Sequence, residues 1–292
     1  MACIERVYSV SALVGSSACN ANCSFCAGKY LRPQAEDSGS LFLKNLEAAI
    51  KLSARYGGWS LSLTGSGEPT CSPWSITRAL EVYHYKCAQQ GAYFPNVNLF
   101  TNGILFGDRK FCQTWLPKWR ELGLTNVAIS IHAASEREQA KIYGLKMYPF
   151  YHDLRENIEY HGVGVRATVL LRKDGIDDPL EYKRAIEKLI YGDGITNITT
   201  WPLGNPDGSR NEYTPSWWNL FKIRRWLHKN AKLCHGHVWG GGVYDYRDGN
   251  IVRYTDYVTR HDPKKDYVRQ LVVFQDGTVA YSWIRSGALC MR

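Results

Sequence analysis

Hydrophobic and polar residues alternate in six short segments of the chain, and each segment predicts a β-strand. Between them, apolar residues recur every three or four positions, which is the spacing of one helix face. The predicted strands are 7–14, 59–64, 97–101, 126–132, 163–171 and 196–201. The predicted helices are 40–56, about 75–90, about 109–122 with a kink or break at Pro117, one capped by Ser135, 152–160 and 179–191. Strands that alternate with helices form βα units around a parallel sheet, so the predicted fold class is α/β.

The two faces of these strands differ in polarity. One face carries Ser60, Ser62 and Thr64, then Ala128, Ser130 and His132, then Arg166, Thr168 and Leu170. The opposite faces are apolar and should pack under the helices. The inside of a closed, filled barrel consists mainly of branched aliphatic side chains, so a polar face predicts a solvated lumen. The alternative is an open sheet with one wet face, although helices normally cover such a face. A six-stranded partial barrel, open at one side, fits both observations.

The pattern changes after residue 214. A helix is predicted over 216–232. One of its faces carries the apolar residues Trp217, Leu220, Ile223 and Leu227. The opposite face carries the basic residues Lys222, Arg225, Lys229 and Lys232. We call the second set the basic stripe. Asp248-Gly249 and Asp276-Gly277 then predict hairpin turns. The predicted domains are a core partial barrel over 1–214 and, over 215–292, a C-terminal helix with a small antiparallel β cap.

Composition and charge limit the classes of partner that the chain is expected to bind. The chain has 292 residues, of which 45% are hydrophobic and 22% charged, as in globular proteins with an ample core. No apolar run approaches the ~20 residues of a membrane helix, so no membrane association is expected. The net charge is +9, and from residue 200 onward 14 basic residues face 8 acidic ones. This surplus favours an anionic partner: nucleic acid, a nucleotide or an acidic redox protein.

Three of the nine cysteines, Cys19, Cys23 and Cys26, stand at CxxxCxxC spacing just after the first strand. Three thiolates on such a short loop can point at one metal centre, and cubane clusters are held by cysteine thiolates. No fourth cysteine lies near in sequence, so a cubane held here would keep one iron open, and open positions mark catalytic metals. The spacing alone also fits a zinc knuckle in which a distant histidine is the fourth ligand.

Two further interpretations of the cysteines concern the compartment. A lipoprotein cleavage site at Cys19 is not supported, because Glu5 and a single Arg6 make a poor n-region and the apolar start is interrupted. Nine cysteines without a signal peptide favour a reducing compartment, so we expect a cytoplasmic protein. An auxiliary cluster is not expected after residue 214, where only Cys234 and Cys290 occur.

With Phe25 directly before the last cysteine, the motif resembles the signature of the radical S-adenosylmethionine (SAM) superfamily. The resemblance implies a [4Fe–4S] cluster on Cys19, Cys23 and Cys26, with SAM on the open iron, and Phe25 among the cofactor-binding residues. It also implies a partial (βα)6 barrel of the radical SAM type. In that family the reduced cluster cleaves SAM to a 5′-deoxyadenosyl radical. Related motifs follow in order at the strand ends over about residues 7–205, and this coincidence makes the zinc knuckle the weaker interpretation.

The first of these motifs is the turn 65–69, which follows the second strand. Glycines there let the backbone approach a ligand, and Glu68 can accept a hydrogen bond from an ammonium group. The turn resembles the GGEP motif of the family, with Ser66 in place of the first glycine. The resemblance implies that Ser66, Gly67 and Glu68 contact SAM.

The next strand ends supply the remaining expected contacts. Asn102 is expected to bind SAM, although Asn102-Gly103 can equally be a simple turn. We expect Ser130 at the ribose and His132 at SAM or substrate. Arg166 is expected to pair with the SAM carboxylate, and the alternative for it is an ordinary ion pair in the lumen. No catalytic side chain is assigned.

Three functions follow. The first is a radical SAM enzyme that abstracts hydrogen from a nucleotide or RNA, bound by the basic stripe and neighbouring aromatics. The second is a radical SAM peptide-modifying enzyme or glycyl-radical-enzyme activase, in which positive charge docks a flavodoxin- or ferredoxin-type electron donor. The third is a non-enzymatic iron–sulfur or zinc protein that binds nucleic acid. The charged, aromatic stretch 255–269 is either a substrate contact or a solvated loop.

Overall fold

A computed structural model describes residues 6–26, 28, 39–236, 240–256, 267–284 and 289–291. The described strands are β1 (Arg6–Val7), β2 (Ser9–Leu13), β3 (Ser60–Thr64), β4 (Asn96–Thr101), β5 (Asn126–Ile131), β6 (Gly164–Leu171), β7 (Asn197–Pro202), β8 (Lys232–Gly236), β9 (Gly242–Asp245), β10 (Ile251–Tyr254), β11 (Tyr267–Val268), β12 (Leu271–Val273), β13 (Val279–Ala280) and β14 (Leu289–Met291). The described α-helices are α1 (Ser40–Arg55), α2 (Pro73–Glu81), α3 (Arg109–Glu121), α4 (Glu136–Tyr143), α5 (Tyr151–Glu159), α6 (Pro179–Glu187) and α7 (Trp217–Asn230).

The centre of the fold is a parallel sheet in which β2 to β7 are neighbours in chain order. Helices lie on the connections between these strands, as in βα units. The predicted α/β class is therefore confirmed, and all six predicted strands are present. The sheet is not closed, since β14 and β8 form its two ends within the described residues, and this agrees with a partial barrel.

The predicted difference between the strand faces is also present. Leu61, Leu63 and Ile131 are fully buried within the main hydrophobic core, which the helices cover. Ser60, Ser62 and Thr64 on the other face of β3 are only half-buried. The inner face is thus polar and partly solvated, and the apolar residues that alternate with it anchor the sheet to the helices.

The antiparallel strands predicted after residue 234 are present, and they extend the central sheet at both of its ends. On one side β10 pairs in parallel with β7, and β9 and β8 follow it in antiparallel order. On the other side β12 pairs in parallel with β2, and β13 and β14 follow. The separate two-stranded pairing of β1 with β11 lies beside this end. The predicted division at residue 214 stays a prediction.

Some elements differ in their boundaries or form from the prediction. The first strand is divided at Tyr8 into β1 and β2. α3 is not broken at Pro117. The helix predicted over 75–90 is an α-helix only as far as Glu81 and then continues as a π-helical turn over Val82–Cys87. Most of the stretch 255–269 lies outside the described residues. None of the described helices has the length and hydropathy to cross a membrane.

Candidate functional site

A cavity of about 690 Å³ opens at the carboxyl ends of the parallel strands. This is the edge at which parallel α/β sheets and barrels place their ligand sites. Its wall includes the strand-end residues Thr64, Thr101, Asn102, Ser130, Thr168 and Trp201. This volume lies within the range of ligand pockets, roughly 300–1,000 Å³.

All three cysteines of the CxxxCxxC motif line this cavity. Their loop is held by backbone bonds from the Asn22 N–H to the Tyr143 carbonyl and from the Glu68 N–H to the Ala18 carbonyl, both 2.9 Å. Burial raises the pKa of the Cys19 thiol, and hydrogen bonds from the Ala21 N–H and the Asn102 carboxamide act in the opposite direction. The loop therefore brings the three sulfurs to one space and anchors them from two sides.

The turn after β3 approaches the cysteine loop so closely that only glycine fits at position 67. A Cβ on Gly67 would lie 2.2 Å from the Ala18 carbonyl oxygen. Gly67 and Glu68 line the cavity, whereas Ser66 is buried beside it and does not. The Ser66 hydroxyl exchanges a hydrogen bond with the Gln275 carboxamide, which also donates to the Gly15 carbonyl at 2.7 Å. Ser66 thus fixes the turn from behind.

Glu68 is buried and its carboxylate is engaged by the chain itself. Oε1 accepts from the Thr70 N–H at 3.1 Å, the Thr70 hydroxyl at 2.7 Å and the Thr101 hydroxyl at 2.6 Å. Oε2 accepts from the Asn102 N–H at 2.7 Å. Burial raises the pKa of Glu68, and these four hydrogen bonds oppose the rise. The carboxylate joins the ends of β3 and β4, and Oε2 keeps capacity for one further donor.

Asn102 and Ser130 stand at the ends of neighbouring strands, and both line the cavity. The Asn102 carboxamide donates to the Asn20 Oδ1 at 2.7 Å, so it touches the cysteine loop directly. The Ser130 carbonyl accepts from the Gln139 carboxamide at 2.8 Å and the Tyr143 hydroxyl at 3.0 Å. These bonds fix the end of β5 and leave its side chain toward the cavity.

His132 and Phe25 form an aromatic wall of the cavity. Their ring centroids are 4.9 Å apart, and the Tyr143 ring packs on the other side of His132 at 5.4 Å. Burial, together with the charge of Arg172, lowers the pKa of His132 to about 3, so its imidazole is neutral at physiological pH. The Arg172 guanidinium lies over the Phe25 ring at 4.6 Å. His132 therefore contributes a neutral ring rather than a charge.

Arg166, like Ser66, is a predicted site residue that does not line the cavity. It stands two residues before Thr168 on the inner face of β6, nearer to the start of the strand. Burial and the neighbouring Arg253 lower the pKa of Arg166 to about 10. Its Nε has no hydrogen-bond partner, and no ion pair to Arg166 occurs among the described residues. Its predicted contact with the SAM carboxylate stays a prediction without support from the cavity lining.

A further aromatic part of the cavity wall was not among the predicted site residues. It includes Trp201, Trp217, Phe221 and Trp283. Trp217 was predicted to share one helix face with Ile223, and it is 66% exposed while Ile223 is fully buried. The Arg224 guanidinium, paired with Asp256 at 3.1 Å, adds charge to this wall. The dense aromatic composition near the start of α7 was the available signal.

A family model described as the radical SAM superfamily matches residues 13–198, which is more than half of the chain. The chain belongs to the radical SAM superfamily. The members of this superfamily are enzymes that use a [4Fe–4S] cluster and SAM, so the cofactors expected from the sequence are confirmed at the level of the family. No curated protein sequence matches the chain.

Solved structures with this fold agree with the family. A hexahistidine-tagged anSMEcpe with bound AdoMet aligns with a TM-score of 0.58 at 15% identity, covering 93% of this chain and 73% of that one. SuiB of Streptococcus suis bound to S-adenosylmethionine also gives 0.58, at 11% identity, covering 95% of this chain and 58% of that one. Methylornithine synthase (PylB) gives 0.50 at 14% identity, with 77% and 63% covered. The chain covers 60% of native anSMEcpe with AdoMet and peptide, so it spans less than two thirds of that relative.

The residues of the radical SAM motif fit a cluster by their chemistry and placement. Three thiols on one anchored loop line one cavity, and thiolates are the ligands that iron–sulfur clusters require. No three His, Cys, Asp or Glu side chains of the described residues are spaced to hold a single metal ion. Gly67 and Glu68 adjoin the loop, where SAM would meet the open position. The site residues themselves stay a proposal.

Proposed function

We propose that this chain is a radical SAM enzyme that abstracts hydrogen from a substrate bound in the cavity beside SAM. The cluster held by Cys19, Cys23 and Cys26 would supply one electron that cleaves SAM to a 5′-deoxyadenosyl radical. The observation that carries the proposal is the single cavity that joins the three cysteines to the turn at Gly67 and to an aromatic wall. The cysteines and the turn suit the cofactors, and the aromatic residues of the same cavity suit a substrate beside them.

The residues around the cofactor side have distinct proposed roles. The backbone at Gly67, which packs directly against the cysteine loop at Ala18, would lie beside the SAM amino group together with Glu68 Oε2. Ser130 would meet the ribose. Phe25 and the neutral ring of His132 would form an apolar surface that excludes water from a reactive radical.

The substrate is proposed to be a nucleotide or RNA. The start of α7 presents Trp218 stacked on Phe221 at an interplanar angle of 17°, with the Lys222 ammonium 5.5 Å from the Trp218 ring. Stacked rings beside cations suit bases beside phosphates. Phe221 also lines the cavity, which links this surface to the site. A peptide is the alternative substrate, since a structure of anSMEcpe with AdoMet and the Kp18Cys peptide shares the fold.

The decisive test is anaerobic reconstitution with iron and sulfide, followed by incubation with SAM and dithionite. We expect release of 5′-deoxyadenosine, measured by chromatography, that requires both the cluster and the reductant. A reconstituted protein that holds its cluster but releases no 5′-deoxyadenosine would contradict the proposal. Added RNA or peptide that increases the release identifies the substrate class.

The basic stripe gives a separate prediction. Lys222, Arg225 and Lys229 lie on α7, whereas Lys232 is the first residue of β8, because the helix predicted over 216–232 ends at Asn230. All four are exposed, and none has an ion pair within the described residues. If this surface binds RNA, changing all four to Gln should abolish binding at physiological salt, and each single change should reduce the salt slope by about 0.7–0.9. Release of 5′-deoxyadenosine without substrate should be unchanged, because the cavity is not altered. Binding is measured by fluorescence anisotropy across a salt series.

The matched control neutralises four exposed cations elsewhere on the surface: Arg109, Lys110, Lys141 and Lys146. Equal loss of RNA binding in both variants would indicate nonspecific attraction by net charge. If the stripe docks an acidic electron donor instead, the first variant binds RNA normally and loses activity only with flavodoxin. Its activity then returns with dithionite, which needs no docking surface.

A further inference from the structure

The carboxamide of Asn102 has a defined orientation at the end of β4. Its Oδ1 accepts from the Ile104 N–H at 3.0 Å. That backbone group can only donate, so the carboxamide oxygen must face it and Nδ2 must face the cysteine loop. On that side Nδ2 lies 2.7 Å from the Asn20 Oδ1 and 4.0 Å from the Cys19 Sγ. One of its two N–H groups is thus used by Asn20, and the other is directed to the sulfur.

The position of Asn102 is fixed from three directions. Its backbone N–H donates to Glu68 Oε2 at 2.7 Å, and its carbonyl accepts from the Tyr148 hydroxyl at 2.7 Å. The residue is only 9% exposed. Asn20, adjacent to Cys19, accepts from Nδ2 and so keeps the carboxamide turned toward the loop. The donor is held in place before any cofactor binds.

Two N–H donors approach the sulfur of Cys19. The Ala21 N–H donates to its sulfur at 3.4 Å, and the Asn102 carboxamide stands at the outer limit of a hydrogen bond to sulfur. Hydrogen bonds to cluster sulfurs set the reduction potential, because N–H dipoles stabilise the more negative, reduced state. A side-chain donor at this place therefore favours electron uptake.

We propose that Asn102 is a tuning residue, whose carboxamide donates to the Cys19 sulfur and raises the reduction potential of the bound cluster, and that Asn20 positions it. The inference rests on the proposed function, since it requires the cluster on Cys19. It assigns Asn102 to the cluster sulfur, whereas the family resemblance placed it at SAM. In this role Asn102 acts before SAM binds.

The test is an EPR-monitored redox titration of reconstituted protein without SAM. Asn102→Asp keeps the size and the acceptor for Ile104 but loses the donor, and Asn102→Ala loses the donor without adding charge. We expect both to assemble the cluster and to shift its midpoint to more negative potential. A tenfold fall in the ratio of reduced to oxidised cluster at fixed reductant corresponds to about 59 mV for this one-electron couple. Asn20→Ala should shift it in the same direction by less.

Asn98→Asp is the matched control. Asn98 lies on β4, which Asn102 directly follows, and it is also buried, but it bonds Ser60 and does not line the cavity. It should leave the midpoint unchanged. If Asn102→Asp shifts the midpoint potential and Asn102→Ala does not, the shift is an effect of the added charge and the proposal is overturned. The proposal is also overturned if both variants assemble the cluster with an unchanged midpoint potential and only bind SAM more weakly. Failure of the wild-type chain to assemble a cluster would instead contradict the proposed function.

Discussion

Replacing any one of Cys19, Cys23 or Cys26 by Ala should abolish the iron–sulfur cluster. Reconstituted wild-type chain should hold about four irons, and each variant should fall close to zero, because a cubane on three thiolates has no spare protein ligand. Iron and sulfide analysis with the visible absorption spectrum measures this directly. The release of 5′-deoxyadenosine should be lost in parallel.

Cys71 provides the matched control for this experiment. It lies near the motif, and the charge of Cys19 contributes to raising its pKa after burial and Glu68. Cys71→Ala should keep its iron if the cluster has three protein ligands. Loss of iron in Cys71→Ala would mean a closed four-cysteine site and would contradict an open position for SAM. Stoichiometric zinc in place of iron would contradict the cluster altogether.

Glu68→Ala should cause the second large effect, on both stability and SAM binding. The substitution leaves the buried N–H groups of Thr70 and Asn102 without acceptors, at roughly 1–3 kcal/mol each. Loss of a charge-assisted bond to SAM should reduce its affinity about 10- to 150-fold. Denaturant unfolding and calorimetric SAM titration measure the two effects, and the cluster spectrum should persist in the folded fraction.

Glu47→Ala is the matched control for that experiment, because it removes a carboxylate that is not fully buried. Glu47 pairs with Lys51 at 2.7 Å on the surface of α1, where such pairs contribute about 0–1 kcal/mol. It should change neither stability nor SAM affinity appreciably. Equal stability of Glu68→Ala and wild type would show that the hydrogen bonds of Glu68 are not needed, and unchanged SAM affinity would remove Glu68 from the site.

The central strands could be predicted because their signals are local. Ser60 to Thr64 alternates strictly, and the turns at Gly65 and Gly103 mark where strands end. The cysteine motif and the turn that follows β3 were visible for the same reason, since each lies within eight residues. Their meeting in one cavity follows from the parallel sheet, which brings successive strand ends to one edge.

Other parts of the site depend on contacts between distant residues, and no local pattern encodes them. Gln275 reaches Ser66 across 209 positions, and Trp283 joins the cavity wall from a C-terminal loop. Alternation placed Arg166 correctly on the inner face of the sheet. Its distance from the carboxyl end of β6, where the cavity lies, depends on how β6 aligns with its neighbouring strands, and alternation does not determine that alignment. Glu68 has the polarity of a ligand-binding group, yet only the structure reveals that it bonds four donors of its own chain.

The pairing of β10 with β7 and of β12 with β2 has a consequence for biosynthesis. A ribosome releases the six central strands well before residues 251–273, so the nascent sheet has two unpaired parallel edges. Exposed edges of this kind can pair with other chains. The contact of β12 with β2 spans most of the sequence, and such long-range contacts form slowly. Successful folding in the cell therefore depends on keeping the growing chain apart from its neighbours until β10 and β12 emerge.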